Sequence, residues 1–230
     1  MVCGTIRPAV RRGAAMNQRR DHGRQMLSGE HDRGYLPHFK REGATYFVTF
    51  RLDGTLPQDV LEQFGGERAE LERRAGDGEL RFADWQRIKE LYAERIDAYL
   101  DAGRGACWLN RPDVARLVCD ALRYFDGQRY ELHPWVVMPN HVHALLTPRG
   151  SHSLSQILQS IKSYTGNRAN RLIDRAGQAF WQPESYDHVV RDERQFAAYG
   201  EYIVNNPATA WLCARLQDWP YSSAYVPPQA

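Results

Sequence analysis

Apolar positions along this chain follow two periods, and the changes between them mark the elements. Ala44 to Leu52 is rich in β-branched and aromatic residues and reads as a first strand, closed by the turn pair Asp53-Gly54. From 57 to 103 the spacing turns helical in a strongly charged background, with Leu61, Phe64, Leu71, Ile88, Leu91, Ile96 and Leu100 as stripe positions. Gly76-Asp77-Gly78 divides that segment into two helices. Val114, Leu117, Val118, Ala121, Leu122 and Phe125 form the buried stripe of the next helix, with Asn110 as its candidate cap and Pro112 in its first turn. Tyr130 to Met138 and His141 to Thr147 read as two strands joined by a short turn at Pro139-Asn140. A helix from about Ser153 to Ile173 follows, with Leu154, Ile157, Leu158, Ile161 and Leu172 apolar. Tyr186 to Val190 reads as a further strand. Asp192 is placed to cap a last helix that runs from Glu193 to Asn205 and stops before Pro207. The aromatic tail, Trp211 to Tyr225, is expected to pack back on the core.

The order β-α-β-β-α-β-α predicts an α+β fold. Two βαβ-like halves give a four-stranded antiparallel sheet of ferredoxin-like (RRM-like) topology, with helices on one face and a helical insertion after the first strand.

Charge changes this picture at one end. Residues 1–42 hold nine basic residues against four acidic ones, a net +5, and the remaining chain is −3. Residues 1–38 are Gly-rich and poor in apolar positions, so they read as a basic, flexible arm able to meet phosphates, or as a solubilising tail. Residues 39–225 form the domain, with the insertion at about 57–103. That insertion is more acidic than basic, which disfavours it as a nucleic-acid face. No apolar run is long enough to span a membrane, and the N-terminal arginines precede no apolar signal segment. The four cysteines, Cys3, Cys107, Cys119 and Cys213, are scattered without a CxxC pair and read as reduced thiols in a cytoplasmic protein.

The chemistry concentrates in Asn140-His141-Val142-His143. On a strand, residues i and i+2 share a face, so both imidazoles project together while Val142 is buried on the other side. Paired imidazoles begin a divalent-metal site, which needs at least one more ligand. The last helix offers it. Tyr202 and Asn206 are four apart and lie one above the other on one helical face. With an Asn206 amide oxygen the donor set is mixed N/O, suited to Mg²⁺ or Mn²⁺ rather than structural zinc. Tyr202 then sits one turn away, where a phenol is placed to attack a phosphodiester that the metal polarises. Tyr199 is the rival nucleophile, but no Asn follows it four residues on.

Several motifs converge here on one family. His141-Val142-His143 after Val136-Val137-Met138-Pro139-Asn140 resembles the HUH motif, a histidine pair around a hydrophobic residue. Phe180-Trp181-Gln182, Tyr186-Asp187-His188, Val190-Arg191 and Tyr202-Ile203-Val204-Asn205-Asn206-Pro207 extend the match. Over residues 39–225 the chain resembles the REP-associated tyrosine transposases, relatives of the single-strand insertion-sequence transposases. The resemblance implies cleavage of single-stranded DNA at REP-type palindromic hairpins. Tyrosine attack leaves a 5′-phosphotyrosine and a free 3′-hydroxyl, which can rejoin strands without ATP. By motif, Tyr202 is the nucleophile, and His141, His143 and Asn206 hold the metal. A cytoplasmic, nucleoid-associated protein is implied.

Other residues are candidate DNA contacts. Lys162, Arg168 and Arg171 on the second long helix are placed to meet phosphates, and Tyr164 and Trp181 to stack on unpaired bases. For Trp181 a core or strand-end role is the alternative. Arg191 joins the DNA contacts through its family-like position. His188 reads either as a hydrogen-bond partner behind the metal ligands or as structural. Two other functions share these residues: a catalytically silent hairpin DNA- or RNA-binding protein of the same fold, and a metallohydrolase that uses water. The sequence leaves monomer and dimer open.

Overall fold

A computed structural model describes residues 43–56 and 105–228, scattered positions between 60 and 103, and the strand backbone of 29–32 and 37–40. Two short strands, β1 (Gly29–Asp32) and β2 (Pro37–Lys40), pair as an antiparallel hairpin. They lie in and beside the segment read as a flexible arm, so part of that arm is structured; residues 1–28 lie outside the described residues. The domain proper follows as β3 (Tyr46–Arg51), α1 (Pro112–Tyr124), β4 (Tyr130–Val137), β5 (His141–Pro148), α2 (Leu154–Leu172), β6 (Tyr186–Val189) and α3 (Glu193–Thr209). The sheet order is β4-β5-β3-β6, and every neighbouring pair is antiparallel. This is the ferredoxin-like arrangement the element order predicts. In the insertion, the described positions Val60, Glu62, Gly66, Glu70, Arg73, Ile96, Tyr99 and Leu100 are helical. The Gly76-Asp77-Gly78 break lies outside the described residues.

The alternation of β3 divides the molecule into two cores. Tyr46, Val48 and Phe50 face α1 and α2, together with Val142, Ala144 and Leu146 of β5, Val114, Val118 and Leu122 of α1, and Ile157 and Ile161 of α2. Phe47 points the other way, to a second core with Val136, Met138, Leu145 and Ile203 of α3. The two helices of the ferredoxin frame therefore share one face, whereas α3 covers the opposite one. The imidazoles point to that opposite side.

The helix ends show how the local sequence sets these elements. Ser153 builds a capping box with Gln156, and Asp192 accepts from the Gln195 amide at 2.8 Å to open α3. Two details differ from the sequence reading. Asn110 does not cap α1; it ends a short 3₁₀ turn (Trp108–Asn110), and Arg111 occupies the cap position with no side-chain bond. Helix α3 also continues through Pro207 to Thr209. A proline inside a helix forfeits one amide bond to the preceding turn. Here Pro207 is buried, as are Asn206 and Ile203, so packing outweighs that loss. As a consequence Asn206 has helical geometry and stacks over Tyr202.

Candidate active site

The β4–β5 turn places the histidines. His141 and His143 are both fully buried on β5, on the face toward α3. Their Nε2 atoms converge to 2.9 Å. Each Nδ1 is engaged behind the pair: His143 Nδ1 with the Thr49 hydroxyl at 2.8 Å, and His141 Nδ1 with Asn140 Oδ1 at 2.7 Å. Burial pushes His143 down to about 3. It pushes His141 well below the usual histidine range, and the neighbouring His143 adds to that effect. Both rings are therefore neutral near pH 7, with lone pairs suited to a cation and with too little basicity to take protons there.

The residues around the pair are aromatic. Phe47 stacks on His143, with ring centroids 5.5 Å apart, and on its other side against Tyr199 at 4.5 Å. Tyr202 approaches His143 edge-on at 5.3 Å. So of the two tyrosines, Tyr202 is the one whose ring packs against the imidazole pair, while Tyr199 lies beneath Phe47 and beside His188 at 5.8 Å. Ala198, Glu201, Tyr202, Asn205, Asn206 and Thr209, spaced along one face of α3, line a groove of about 290 Å³. Tyr202 is half-buried in it and Asn206 is buried one turn further on.

Two neutral imidazole nitrogens side by side could hold a divalent cation. Ligands about 2.1 Å from such an ion and adjacent to each other stand about 3 Å apart, which matches the spacing of the two Nε2 atoms. Among the described residues no cluster of three or more His, Cys, Asp or Glu occurs.

The proposed DNA contacts separate. Tyr164, Arg168 and Arg171 are exposed on α2, with the Arg168 guanidinium 5.1 Å from the Tyr164 ring centre. They stand across the sheet from the imidazoles. Lys162 is turned inward: its ammonium donates to Pro183 O, Glu184 O and Ser185 Oγ, at 2.8, 3.3 and 3.2 Å. All three of its N–H groups are thereby engaged in tying the loop before β6 to α2. Burial, with the charge of Arg51, lowers its pKa to about 8. Trp181 is not available to stack on a base. It is buried, packs edge-on against Phe50 at 4.9 Å and donates from Nε1 to Thr165 Oγ1 at 2.9 Å. Arg191 is exposed just after β6, and His188 is buried on β6.

Sequence reasoning missed Thr49, Phe47, Arg51 and the side chain of Asn140. The signal was the alternation of β3. Phe47, Thr49 and Arg51 occupy the face opposite the main core, and Thr49 and Arg51 pair in the ladder with His143 and His141. Arg51 donates to Thr55 Oγ1 at 3.0 Å, and its burial draws it down to about 10.

Residues 114–206, from α1 through the histidine strand to Asn206, match the family model described as "Transposase IS200 like". A REP-associated tyrosine transposase of Escherichia coli (strain K12) is 27% identical over 95 residues, covering 41% of this chain and 54% of that protein. A putative REP-associated tyrosine transposase of Haemophilus influenzae is 24% identical over 100 residues, covering 38% and 54%. The chain thus spans about half the length of the curated relatives it matches. Among solved structures, a REP-associated tyrosine transposase bound to a REP hairpin aligns over 85% of this chain and 82% of its own, with a TM-score of 0.46 at 19% identity. A putative transposase from Deinococcus radiodurans aligns over 76% and 96%, with a TM-score of 0.38 at 17% identity. Over the helix-and-strand unit that holds both histidines and the tyrosine, the chain carries the pattern of the IS200-like transposases and is similar to the REP-associated tyrosine transposases.

Proposed function

We propose that this protein cuts and rejoins single-stranded DNA at REP-type hairpins, with Tyr202 as nucleophile. The observation that carries this reading is the convergence of two neutral imidazoles at 2.9 Å, with the Tyr202 ring 5.3 Å from one of them at the edge of a groove. The Tyr202 oxygen attacks the scissile phosphorus. A phosphorus–oxygen bond forms to tyrosine and the bond to the 3′ oxygen breaks. The phenolic proton is released and the departing 3′ oxygen takes one up, so charge is conserved. The strand is left with a 5′-phosphotyrosine and a free 3′-hydroxyl, and attack by such a hydroxyl reverses the step to join strands.

Tyrosine is protonated at neutral pH and is a weak nucleophile unaided. His141, His143 and Asn206 would hold Mg²⁺ or Mn²⁺, which would supply polarisation of the phosphate. The imidazoles themselves are too weakly basic to accept the phenolic proton near pH 7, which favours a ligand role over general-base catalysis. No helix among the described residues is long and apolar enough to cross a membrane.

The test is incubation of the chain with labelled single-stranded hairpins from the DNA flanking its reading frame, in Mn²⁺. A denaturant-resistant protein–DNA band is expected, absent in Tyr202→Phe and with chelator, and retained in Tyr199→Phe. Cleavage that survives Tyr202→Phe would point to hydrolysis by water. Binding without any cleavage would point to a silent hairpin-binding protein.

A further inference from the structure

The turn that precedes the histidines is a junction. Asn140 is fully buried. Its backbone carbonyl accepts from Leu52 N at 2.8 Å, and the carbonyl of Pro139 accepts from Leu109 N at 3.1 Å. The end of β3 and the 3₁₀ turn therefore clamp the Pro139-Asn140 backbone from two sides. The side chain spans a third and a fourth element. Asn140 Nδ2 donates to the carbonyl of Leu100, a buried residue at the end of the helical insertion, at 3.0 Å. Asn140 Oδ1 faces His141 Nδ1 at 2.7 Å.

The chemistry of these partners leaves one assignment. The Leu100 carbonyl can only accept, so the amide nitrogen of Asn140 must face it and the amide oxygen must face His141. That oxygen can only accept in turn, so His141 carries its proton on Nδ1. In a neutral ring the other nitrogen, Nε2, is then a bare lone pair, and it is the nitrogen that points at His143. The 2.9 Å contact then makes His143 the donor in the metal-free pair, with its proton on Nε2 and its Nδ1 accepting, and only a change of partner at Nε2 would reverse that. The His143 Nδ1 meets a hydroxyl, Thr49 Oγ1, which can donate or accept.

We propose that Asn140 is a positioning residue. It holds His141 in the tautomer whose lone pair faces the site, and it ties that ring mechanically to the 57–103 insertion. The consequence for metal binding rests on the function proposed above; the tautomer does not. The insertion thereby supports the ligand pair through one side chain rather than through contact with the reacting groups.

The test uses the full chain, wild type and Asn140→Ala, with Asn140→Asp as the separating variant. Asp keeps an acceptor for His141 and loses the donor to Leu100. Histidine ¹⁵N spectra of the metal-free protein should give His141 as the Nδ1–H form in wild type and in Asn140→Asp, and a mixture or the Nε2–H form in Asn140→Ala. Titration with Mn²⁺ alone should show affinity falling about 10- to 100-fold in Asn140→Ala, the usual cost of removing a partner behind a metal ligand, and largely kept in Asn140→Asp. Amide exchange around Leu100 should quicken in both variants. An Nε2–H His141 in the wild type overturns the proposal without need of any variant, as does an Asn140→Ala protein that folds, keeps the tautomer and binds Mn²⁺ as tightly as wild type. Absence of Mn²⁺ binding in the wild type would instead count against the metal reading, while the spectra still decide the role of Asn140.

Discussion

At the scale of single residues, the site is held together by polar groups buried without charge. His141 and His143 stay neutral because water is excluded around them, and this has a consequence for stability. In the unfolded chain each imidazole protonates near pH 6.5, whereas in the fold His143 resists protonation to about pH 3 and His141 also stays well below the ordinary value. Below pH 6.5 the unfolded state therefore binds more protons than the native state, and stability falls as pH falls. The loss approaches about 1.4 kcal/mol per pH unit for each histidine. Urea unfolding at pH 7.0 and 5.5 should differ by about 2 to 3 kcal/mol from this pair. A His143→Asn variant should lose about half of that difference. Identical pH dependence in the two proteins would show that the imidazoles are hydrated and titrate freely. Thr49 gives a second expectation. Thr49→Val leaves His143 Nδ1 without its hydroxyl and should cost about 1 to 3 kcal/mol, with Thr49→Ser restoring most of it in the same measurement.

At the scale of elements, α3 is the piece that brings Tyr202 and Asn206 to the face of the sheet that carries the imidazoles. It lies on the face opposite α1 and α2, and its apolar side enters the second core through Ile203. Its groove side carries Tyr202 and Asn206. The two sides are separable. Asp192→Ala removes the cap bond to Gln195 at the far end of the helix. It should lower stability by about 1 kcal/mol while leaving adduct formation at Tyr202 intact, as read by thermal melts and the hairpin assay. Phe47→Ala should behave differently. It empties the space between His143 and Tyr199 and should cost about 3 to 5 kcal/mol. It also removes an edge-on neighbour of Tyr202 at 6.0 Å, so adduct formation should drop in the protein that remains folded. Unchanged labelling in folded Phe47→Ala would mean that Tyr202 is positioned by its helix alone.

At the scale of the whole molecule, what the sequence revealed depends on the range of each interaction. That His141 and His143 share a face was legible because period two on a strand is local, and that Tyr202 and Asn206 share one because a helical turn is local. The strand order followed from the succession of elements. Thr49 and Asn140 were not legible as partners, since Thr49 meets His143 across the ladder and Asn140 reaches Leu100 in the insertion. Trp181 misled for a related reason: an aromatic at a strand end looks the same in sequence whether it faces solvent or, as here, the main core. Pro207 misled because local propensity predicts a helix stop, and only tertiary burial explains why the helix passes through it.

The aromatic tail completes the molecule in a way that reaches beyond packing. Ser222 bridges Val136 on the outer side of β4, Val137 N donates to Tyr221 O at 2.8 Å, and Ser223 N to Trp135 O at 2.9 Å. Trp219 adds a bond from Nε1 to Val137 O at 3.0 Å. The polypeptide thus lays its own later residues, through one isolated bridge and the bonds beside it, over an edge that would otherwise recruit strands from other chains. Trimming the chain before Trp219 should bare that edge, and light scattering should then register self-association that the untrimmed protein resists.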